Sequence, residues 1–253
     1  MSQIVVRDGE RDSARVAPGP SGDAAAIGFP GAEAPFLPAE RSTTKRVFEL
    51  IAALALTVLL LPVMVLIALL VRVDSPGPVL FRCQRVGHRG RMLQMLKFRK
   101  MHDQATGARL TAIGDHRLTR VGRWLARFKL DELPQLWHVV RGDMSLIGPR
   151  PEDHDFVAHF PRAYAEITRV RPGIMGLSQL AFAGESAILD PESPLDHYLE
   201  RILPQKVVLD QLYATRWSLW LDVRIVLWTI VAVLLNRNVA VNRETGRMGL
   251  RRR

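Results

Sequence analysis

Two adjacent acidic residues, Asp131 and Glu132, form the part of the sequence best suited to phosphoryl chemistry. They precede an apolar helical pattern, and Pro134 follows them at a position typical of a first helical turn. The helix dipole there favours the ionised carboxylates, and capping alone explains many such acids. In a strongly positive setting, one carboxylate can attack phosphorus while its neighbour holds Mg²⁺ against phosphate oxygens. The pair therefore predicts either a helix cap or a phosphoryl-transfer centre.

A second candidate is the segment 142–151, which reads Gly-Asp-Met-Ser-Leu-Ile-Gly-Pro-Arg-Pro. Its glycines and prolines predict a structured loop, and Arg150 within it can grip a phosphate through two parallel hydrogen bonds. The sequence has no P-loop, no nucleotide-binding glycine fingerprint and no helix-turn-helix pattern. The single cysteine, Cys83, excludes an intramolecular disulfide and a zinc site made of several thiolates.

The positive charge of the chain is concentrated just before the acidic pair. The 253 residues include 35 Lys+Arg and 25 Asp+Glu, which gives a formal net charge of +10. Residues 82–129 contain thirteen basic and two acidic residues, a net charge of +11, so the rest of the chain sums to −1. Such a local concentration of positive charge predicts an anionic partner. Charge alone does not distinguish between nucleic acid, a membrane surface and a phosphorylated substrate.

The element upstream of this block is an uncharged apolar run from Leu50 to Val71. As a helix it would be about 33 Å long, close to the hydrocarbon thickness of a bilayer, about 30 Å. Pro62 lies in its middle, where a proline kinks a helix, and basic residues flank both ends, which the positive-inside bias draws to the cytoplasm. The pattern predicts a re-entrant membrane helix over 41–73, broken at Pro62. A straight span with a tolerated proline is the alternative.

The remaining pattern predicts a helix-rich α+β fold in a monotopic membrane protein, with interfacial amphipathic helices and a small cytoplasmic catalytic domain over 74–236. A flexible tail is predicted over 1–40 and a basic tail over 237–253. In the catalytic domain, the pattern predicts strands at 79–81 and 92–98 around a turn at 87–90. It also predicts three helices: a basic amphipathic helix over 117–128, a helix over 133–140 that is ended by Gly142, and an interfacial or core helix over 217–235.

Several ordered motifs resemble those of the bacterial sugar transferases, the monotopic polyprenyl-phosphate phosphoglycosyl transferases, over about residues 43–236. The matching motifs are Lys45-Arg46 before the apolar run with its Pro62, Ser75-Pro76-Gly77-Pro78, Lys97-Phe98-Arg99-Lys100-Met101, Arg117-Leu118-Thr119-Arg120-Val121-Gly122, Leu130-Asp131-Glu132-Leu133-Pro134-Gln135-Leu136, residues 141–151, Arg171-Pro172-Gly173-Ile174, Leu209-Asp210 with Tyr213, and Trp217-Ser218-Leu219.

This resemblance implies transfer of a sugar-1-phosphate from a UDP-sugar to undecaprenyl phosphate, with release of UMP. The reaction would start surface polysaccharide or glycoconjugate assembly on the cytoplasmic face of the bacterial inner membrane. The resemblance makes Asp131 the nucleophile of a covalent phosphosugar intermediate and Glu132 a ligand of Mg²⁺. It also implies that substrate is bound by motif residues, namely Lys97, Arg99, Arg120, Arg150 and Asp210. Membrane lipid is an expected partner and nucleic acid is not.

The sequence departs from the family pattern in ways that leave the donor sugar open. Ala126 and Lys129 stand where the family often has arginine and serine, and residues 177–183 read Leu-Ser-Gln-Leu-Ala-Phe-Ala instead of the common Trp-Ala-Gln-Val-Asn-Gly-Arg. The competing hypothesis is a non-enzymatic, membrane-anchored basic protein that binds nucleic acid or anionic lipid. It explains the charge and the apolar run but gives no role to Asp131 and Glu132.

Overall fold

The computed structural model describes residues 42–103, 105, 110–111, 114–190, 192–235 and 237–250, and confirms the predicted helix-rich α+β class. The predicted tail over 1–40 lies outside the described residues. The helices are α1 Thr43–Asp74, α2 Arg120–Phe128, α3 Leu136–Arg141, α4 His154–Val157, α5 Pro161–Ile167, α6 Leu177–Ala181, α7 Pro194–His197, α8 Leu203–Arg216 and α9 Leu219–Leu234. The strands are β1 Leu80–Val86, β2 Met92–Phe98, β3 Ser145–Ile147, β4 Gly173–Met175, β5 Val239–Val241 and β6 Met248–Leu250.

Helix α1 contains the predicted apolar run. It begins where the Ser42 side chain accepts a hydrogen bond from the Lys45 N–H, and it ends before Pro76, which has no N–H to continue it. Its 32 residues span about 48 Å. The helix continues through Pro62 without interruption, so the predicted break is not confirmed. One proline removes a single helical hydrogen bond, which a long helix tolerates.

The middle of α1 lies outside the protein core. In its most apolar 18-residue window only 11% of the residues are buried, and leucine and valine side chains are exposed along its length. Among the described residues, α1 is the one helix that is long and apolar enough to cross a membrane. Such a continuous exposed apolar surface is compatible with a membrane anchor.

The amino-terminal end of α1 is held to the rest of the protein by buried charges. Lys45 Nζ lies 2.7 Å from both Glu49 Oε1 and Asp222 Oδ2, which brings the start of α1 to the start of α9. Ser145 Oγ, at the start of β3, donates to Glu49 at 2.6 Å. All four side chains are buried. Unpaired ions in such a setting are strongly destabilising, so this network fixes where α1 begins.

The carboxyl-terminal end of α1 is held by apolar packing and by one arginine. Ile67 and Val71 pack against Phe98 of β2 and Leu125 of α2. Just beyond the helix, the buried Arg99 guanidinium donates to the carbonyl oxygens that follow the last turn, including that of Ser75 at 2.8 Å. Both ends of α1 therefore contact one folded body. Between them, one side of the helix packs inward through Ala53 and Leu60, while most of the other side chains are exposed.

The β1–β2 hairpin provides the floor beneath the acidic pair. The strands are antiparallel, with Leu80 opposite Phe98 and Val86 opposite Met92, and a 3₁₀ turn over His88–Gly90 joins them. Strand β2 occupies the predicted range, whereas β1 extends well beyond the predicted 79–81. The longer β1 contains Arg82, Gln84 and Arg85, whose polar side chains hide the strand pattern from a hydrophobicity count.

The end of the chain differs from the predicted basic tail over 237–253. Strands β5 and β6 pair antiparallel, and Val239 packs with Leu180 of α6 and Ala232 of α9. Each strand is three residues long, which is too short for an alternating pattern to stand out among the neighbouring arginines. The described part of this segment, 237–250, is thus folded onto the rest of the protein.

We expect Lys45→Met to destabilise the protein by about 3–5 kcal/mol, because it leaves Glu49 and Asp222 buried without their cation. Thermal unfolding of the protein in detergent measures the effect. The matched control is Arg72→Met at the exposed other end of α1, which should shift the melting temperature little. Equal melting temperatures for the two variants would contradict this account of the network.

Candidate active site

The acidic pair lies in a 3₁₀ turn, Leu130–Gln135, directly after α2. Helix α2 ends at Lys129, whose φ of 57° turns the chain into the left-handed region and whose N–H closes on the Leu125 carbonyl. The turn that follows carries Asp131 and Glu132 in its first positions, at the start of helical structure as the sequence predicts. Helix α3 continues from it and ends at Gly142, with φ 96°, again as predicted.

Glu132 is enclosed between two cations from different parts of the chain. Its Oε1 lies 2.9 Å from Lys97 Nζ on β2 and 2.8 Å from Arg150 Nη2 after β3. Burial by itself would raise the pKa of Glu132, but the charges of Arg150 and Lys97 outweigh burial and hold the pKa well below its usual range. Glu132 is therefore ionised, and the attraction raises the pKa of Arg150 in turn.

Asp131 is more deeply buried than Glu132, at 3% exposure, yet it is less tightly held. Its Oδ2 lies 3.9 Å from Lys100 Nζ, a longer contact than either ion pair of Glu132. Burial lowers the pKa of Lys100, and the nearby Asp131 carboxylate opposes that shift. A carboxylate next to a cation, and without a close ion pair that blocks its oxygens, is suited to nucleophilic attack on phosphorus.

Arg150 owes its position to a close crossing of two loops. Strands β3 and β4 run parallel, with Ile147 opposite Met175, and the loop between Ile147 and Arg150 continues the contact. Gly148 and Gly173 lie so close that a Cβ built on Gly173 would be 2.1 Å from the Gly148 nitrogen. Only glycine allows this approach, which explains why glycine occupies both position 148 and position 173.

The pair faces a large cavity of about 1500 Å³. Its lining includes Asp131, Glu132 and the cations Lys97, Lys100 and Arg150. Carboxylates among preorganised cations in a partly enclosed site can hold a phosphorylated ligand and stabilise charge that develops on it. The structure thus brings together Asp131, Glu132, Lys97 and Arg150, which the sequence analysis proposed on separate motifs.

A group of side chains that the sequence analysis missed forms a polar wall of the same cavity: Glu152, Glu185, Tyr198 and Lys206. Tyr198 Oη donates to Glu152 Oε2 at 2.9 Å, and Lys206 forms an ion pair with Glu185 while its Nζ lies 3.3 Å from Tyr198 Oη. These residues come from three parts of the chain, since Tyr198 and Lys206 lie on one continuous helical stretch that runs into α8. The sequence carries no spacing signal for them, apart from the position of Glu152 beside the predicted loop.

The other proposed substrate-binding residues have different surroundings. Arg99 lines the cavity, but its guanidinium is committed to carbonyl oxygens at the end of α1. Arg120 is exposed at the start of α2 and is not part of the cavity lining. Asp210 of α8 is buried behind the polar wall, and its Oδ1 has no hydrogen-bond partner among the described residues. The geometry therefore favours Lys97 and Arg150 over these three as phosphate ligands.

The described residues contain no cluster of three or more His, Cys, Asp or Glu side chains that could hold a metal ion by themselves. Mg²⁺ is commonly bound by one or two carboxylates together with substrate phosphates and water. Glu132 fits that mode, because its Oε2 has only a 3.4 Å contact, with Arg150, and Asp131 is adjacent. The donor set thus fits a Mg²⁺ that is shared with a phosphorylated ligand.

We expect Asp210→Asn to stabilise the protein more at pH 8 than at pH 5. Burial raises the pKa of Asp210 to about 7, against the opposing effects of Ser178 and Lys206. Between about pH 4 and pH 7 the folded state keeps a proton that the unfolded state releases, so this group makes wild-type stability fall as pH rises. Melting temperatures of both proteins at the two pH values test this. An equal difference at both pH values would contradict it, and the exposed Asp196→Asn serves as the control.

The chain matches the family model described as bacterial sugar transferase over residues 40–236. It is 39% identical over 204 residues to the undecaprenyl-phosphate glucose phosphotransferase of Komagataeibacter xylinus, covering 77% of this chain and 36% of that protein. It is 40% identical over 201 residues to the UDP-glucose:undecaprenyl-phosphate glucose-1-phosphate transferase of Caulobacter vibrioides, covering 77% of this chain and 71% of that protein.

A third relative acts on a different sugar. The chain is 39% identical over 195 residues to the UDP-N-acetylgalactosamine-undecaprenyl-phosphate N-acetylgalactosaminephosphotransferase of Aeromonas hydrophila, covering 75% of this chain and 43% of that protein. The chain thus spans less than half the length of two of these three relatives. The family model matches most of the chain, including α1, the pair Asp131 and Glu132, and the two cations that contact Glu132, Lys97 and Arg150. The chain therefore belongs to the bacterial sugar transferase family.

Proposed function

We propose that this protein transfers a sugar-1-phosphate from a UDP-sugar to undecaprenyl phosphate and releases UMP, which starts the assembly of a surface polysaccharide or glycoconjugate. The observation that carries the proposal is the buried Asp131–Glu132 pair in a cation-lined cavity next to an exposed apolar helix. The names of the relatives supply the donor class and the acceptor. Because those relatives use different sugars, the sugar of this protein stays open.

The reaction proceeds in two displacements. In the first, a carboxylate oxygen of Asp131 attacks the phosphorus that bears the sugar, and the bond from that phosphorus to the bridging oxygen breaks. The electron pair leaves with UMP, and a phosphosugar stays on Asp131. In the second, a phosphate oxygen of undecaprenyl phosphate attacks the same phosphorus. The Asp131 carboxylate leaves with its electron pair, and the product is a diphosphate that joins lipid and sugar.

The cations around the pair supply electrostatic stabilisation. Lys97 and Arg150 are held in place by Glu132 before substrate arrives, so little reorganisation is needed when negative charge develops on the transferred phosphoryl group. Lys100 lies 3.9 Å from Asp131 and places a positive charge beside the attacking carboxylate, where it would also attract the phosphates of the donor. Mg²⁺ bound through Glu132 and the donor phosphates would neutralise charge on the diphosphate.

The contacts of α1 support a re-entrant placement in the cytoplasmic membrane. Its first turns, through Lys45 and Glu49, and its last turns, through Ile67 and Val71, pack on the same folded body. If a helix spanned the bilayer, its two ends would lie on opposite sides of the membrane. Two ends that pack on one folded body lie on the same side. The exposed middle, which includes Pro62, then enters the membrane from the cytoplasmic face, where UDP-sugars are present.

Helix α2 supports contact of the same body with lipid headgroups. Trp124 and Phe128 are exposed, and their ring centroids lie 5.4 Å apart with the ring planes tilted by 59°. The exposed Arg123 and Arg127 lie beside them in the sequence. Aromatic rings and arginines on one exposed helix are typical of a membrane interface. An interfacial position of α2 would place the Asp131 turn, which follows it directly, at the depth of a lipid phosphate.

We expect Asp131→Asn to lower UMP release by about 10³-fold or more, because the oxygen of a neutral amide is a much weaker nucleophile than a carboxylate oxygen. The assay combines the protein in nanodiscs with UDP-sugars, Mg²⁺ and undecaprenyl phosphate. Without acceptor, wild-type protein should gain the mass of a phosphosugar and Asp131→Asn should not. The control is Asp196→Asn, an exposed acid outside the cavity, which should keep wild-type turnover.

Full turnover by Asp131→Asn would exclude this residue as the nucleophile. The non-enzymatic alternative makes the opposite prediction for the wild type, namely no UMP release from any UDP-sugar. If the ligand of that alternative is nucleic acid, its affinity falls steeply with salt, since phosphate contacts release counterions; if it is anionic lipid, the protein binds vesicles that contain such lipid without releasing UMP. Measuring both properties on one preparation separates the two hypotheses.

For topology, we expect cysteines at positions 44 and 82 to react with a membrane-impermeant reagent from the same side of the membrane. The background is Cys83→Ser, which removes the single native cysteine. Thr44 and Arg82 are exposed on either side of the apolar run. Leu59→Cys in the middle of α1 serves as a control that should be protected. Labelling of positions 44 and 82 from opposite sides would refute the re-entrant placement.

A further inference from the structure

The catalytic cavity is polar in one part and apolar in another. Its apolar part is bounded by two helices, through Leu56 and Leu60 on α1 and through Thr229, Ala232 and Val233 on α9. Leu60 lies four positions after Leu56, and Ala232 and Val233 lie three and four positions after Thr229, so the residues of each helix are on one side of it. We use the term α1–α9 seam for the space between these two faces. The seam belongs to the same cavity as Asp131.

The outward faces of both helices are also apolar. Leu59 on α1 is 71% exposed, and Leu227 and Ile230 on α9 are 55% and 48% exposed. Exposed apolar side chains on two neighbouring helices are unfavourable in water. With lipid around these faces, as the proposed function requires, the α1–α9 seam opens into hydrocarbon.

The inner part of the cavity has the opposite chemistry. Leu133 and Leu136 follow the acidic pair in sequence and line the cavity together with Lys100 and Arg150. The lining therefore changes from aliphatic side chains to cations within one cavity. Charge complementarity points to a ligand that has a hydrocarbon chain at one end and an anionic group at the other.

We propose that the α1–α9 seam is the channel that holds the hydrocarbon chain of the polyprenyl phosphate acceptor and brings its phosphate from the bilayer to Asp131. The proposal rests on the proposed function and adds the route and the residues that select the acceptor. A lipid phosphate with a single chain matches a channel bounded by one face of each helix, whereas a phospholipid brings two chains.

The size of the cavity agrees with two ligands that meet at one point. Pockets for small ligands commonly measure about 300–1,000 Å³, and this cavity is larger, at about 1500 Å³. With the acceptor chain in the seam, the polar wall around Glu185 and Lys206 stays open to the sugar and nucleoside of the donor. The two phosphates then approach Asp131 from different parts of the cavity.

The test introduces a tryptophan that would narrow the channel, on either α1 or α9. Each variant is compared with a tryptophan at the adjacent position, which faces away from the channel. The channel variants are Leu60→Trp and Thr229→Trp. The matched controls are Leu59→Trp and Ile230→Trp, each one position away on an exposed face that does not line the cavity. Three quantities are measured in nanodiscs: the KM for undecaprenyl phosphate, the KM for geranyl phosphate, and the rate of phosphosugar formation on Asp131 without acceptor.

We expect the channel variants to raise the KM for undecaprenyl phosphate by about tenfold or more, because each methylene removed from an apolar contact weakens binding about fourfold. The KM for the short geranyl phosphate and the rate of phosphosugar formation should stay within about twofold of wild type. The control variants should change none of the three. An equal effect of channel and control variants would overturn the proposal, and so would an equal rise of both KM values or a loss of phosphosugar formation.

Photocrosslinking tests the channel without turnover. Failure of the channel proposal can therefore be told apart from failure of the proposed function. A diazirine on the chain of a polyprenyl phosphate should label α1 and α9 in wild-type protein. Undecaprenyl phosphate should compete with this labelling, and dioleoyl phosphatidic acid should not. Labelling outside these helices, or equal competition by phosphatidic acid, would overturn the channel whether or not UMP is released.

Discussion

Glu132 joins three separate segments through charge, and the arrangement of the site depends on this interaction. Its carboxylate contacts Lys97 of β2 and Arg150 of the loop after β3, while Glu132 itself lies in the turn after α2. A carboxylate buried without partners would be strongly destabilising, so the hairpin, the turn and the loop have one favourable relative placement. That placement sets the walls of the cavity and turns the neighbouring Asp131 toward it.

The second constraint is the contrast between the ends and the middle of α1. The ends are fixed by a buried ion network at Lys45 and by packing of Ile67 and Val71, whereas the middle exposes leucine and valine. The proposed reaction combines a water-soluble donor with a lipid acceptor, and it would need both kinds of surface close to Asp131. The cavity lining follows the same division, with cations near Asp131 and aliphatic side chains between α1 and α9.

The sequence predicted the elements whose signal is local. The apolar run, β2, the basic helix and the helix that ends at Gly142 were all located within a few residues, because periodicity and capping are read from neighbouring positions. The C-terminal hairpin was missed because its strands have three residues each. Pro62 suggested a break that α1 does not show, since one lost hydrogen bond does not end a long helix.

What the sequence by itself determined is therefore the chemistry that neighbouring residues carry: an Asp-Glu pair at a helix start, a basic block before it and an apolar helix upstream. Only the tertiary structure decided which cations serve the pair. Lys97 and Arg150 lie 35 and 18 positions from Glu132, and Arg99, two residues from Lys97, is instead committed to the end of α1. The assembly of the polar wall from three distant parts of the chain was decided in the same way. The physical reason is that contacts between distant positions arise from how the elements pack, which no local pattern of residues specifies.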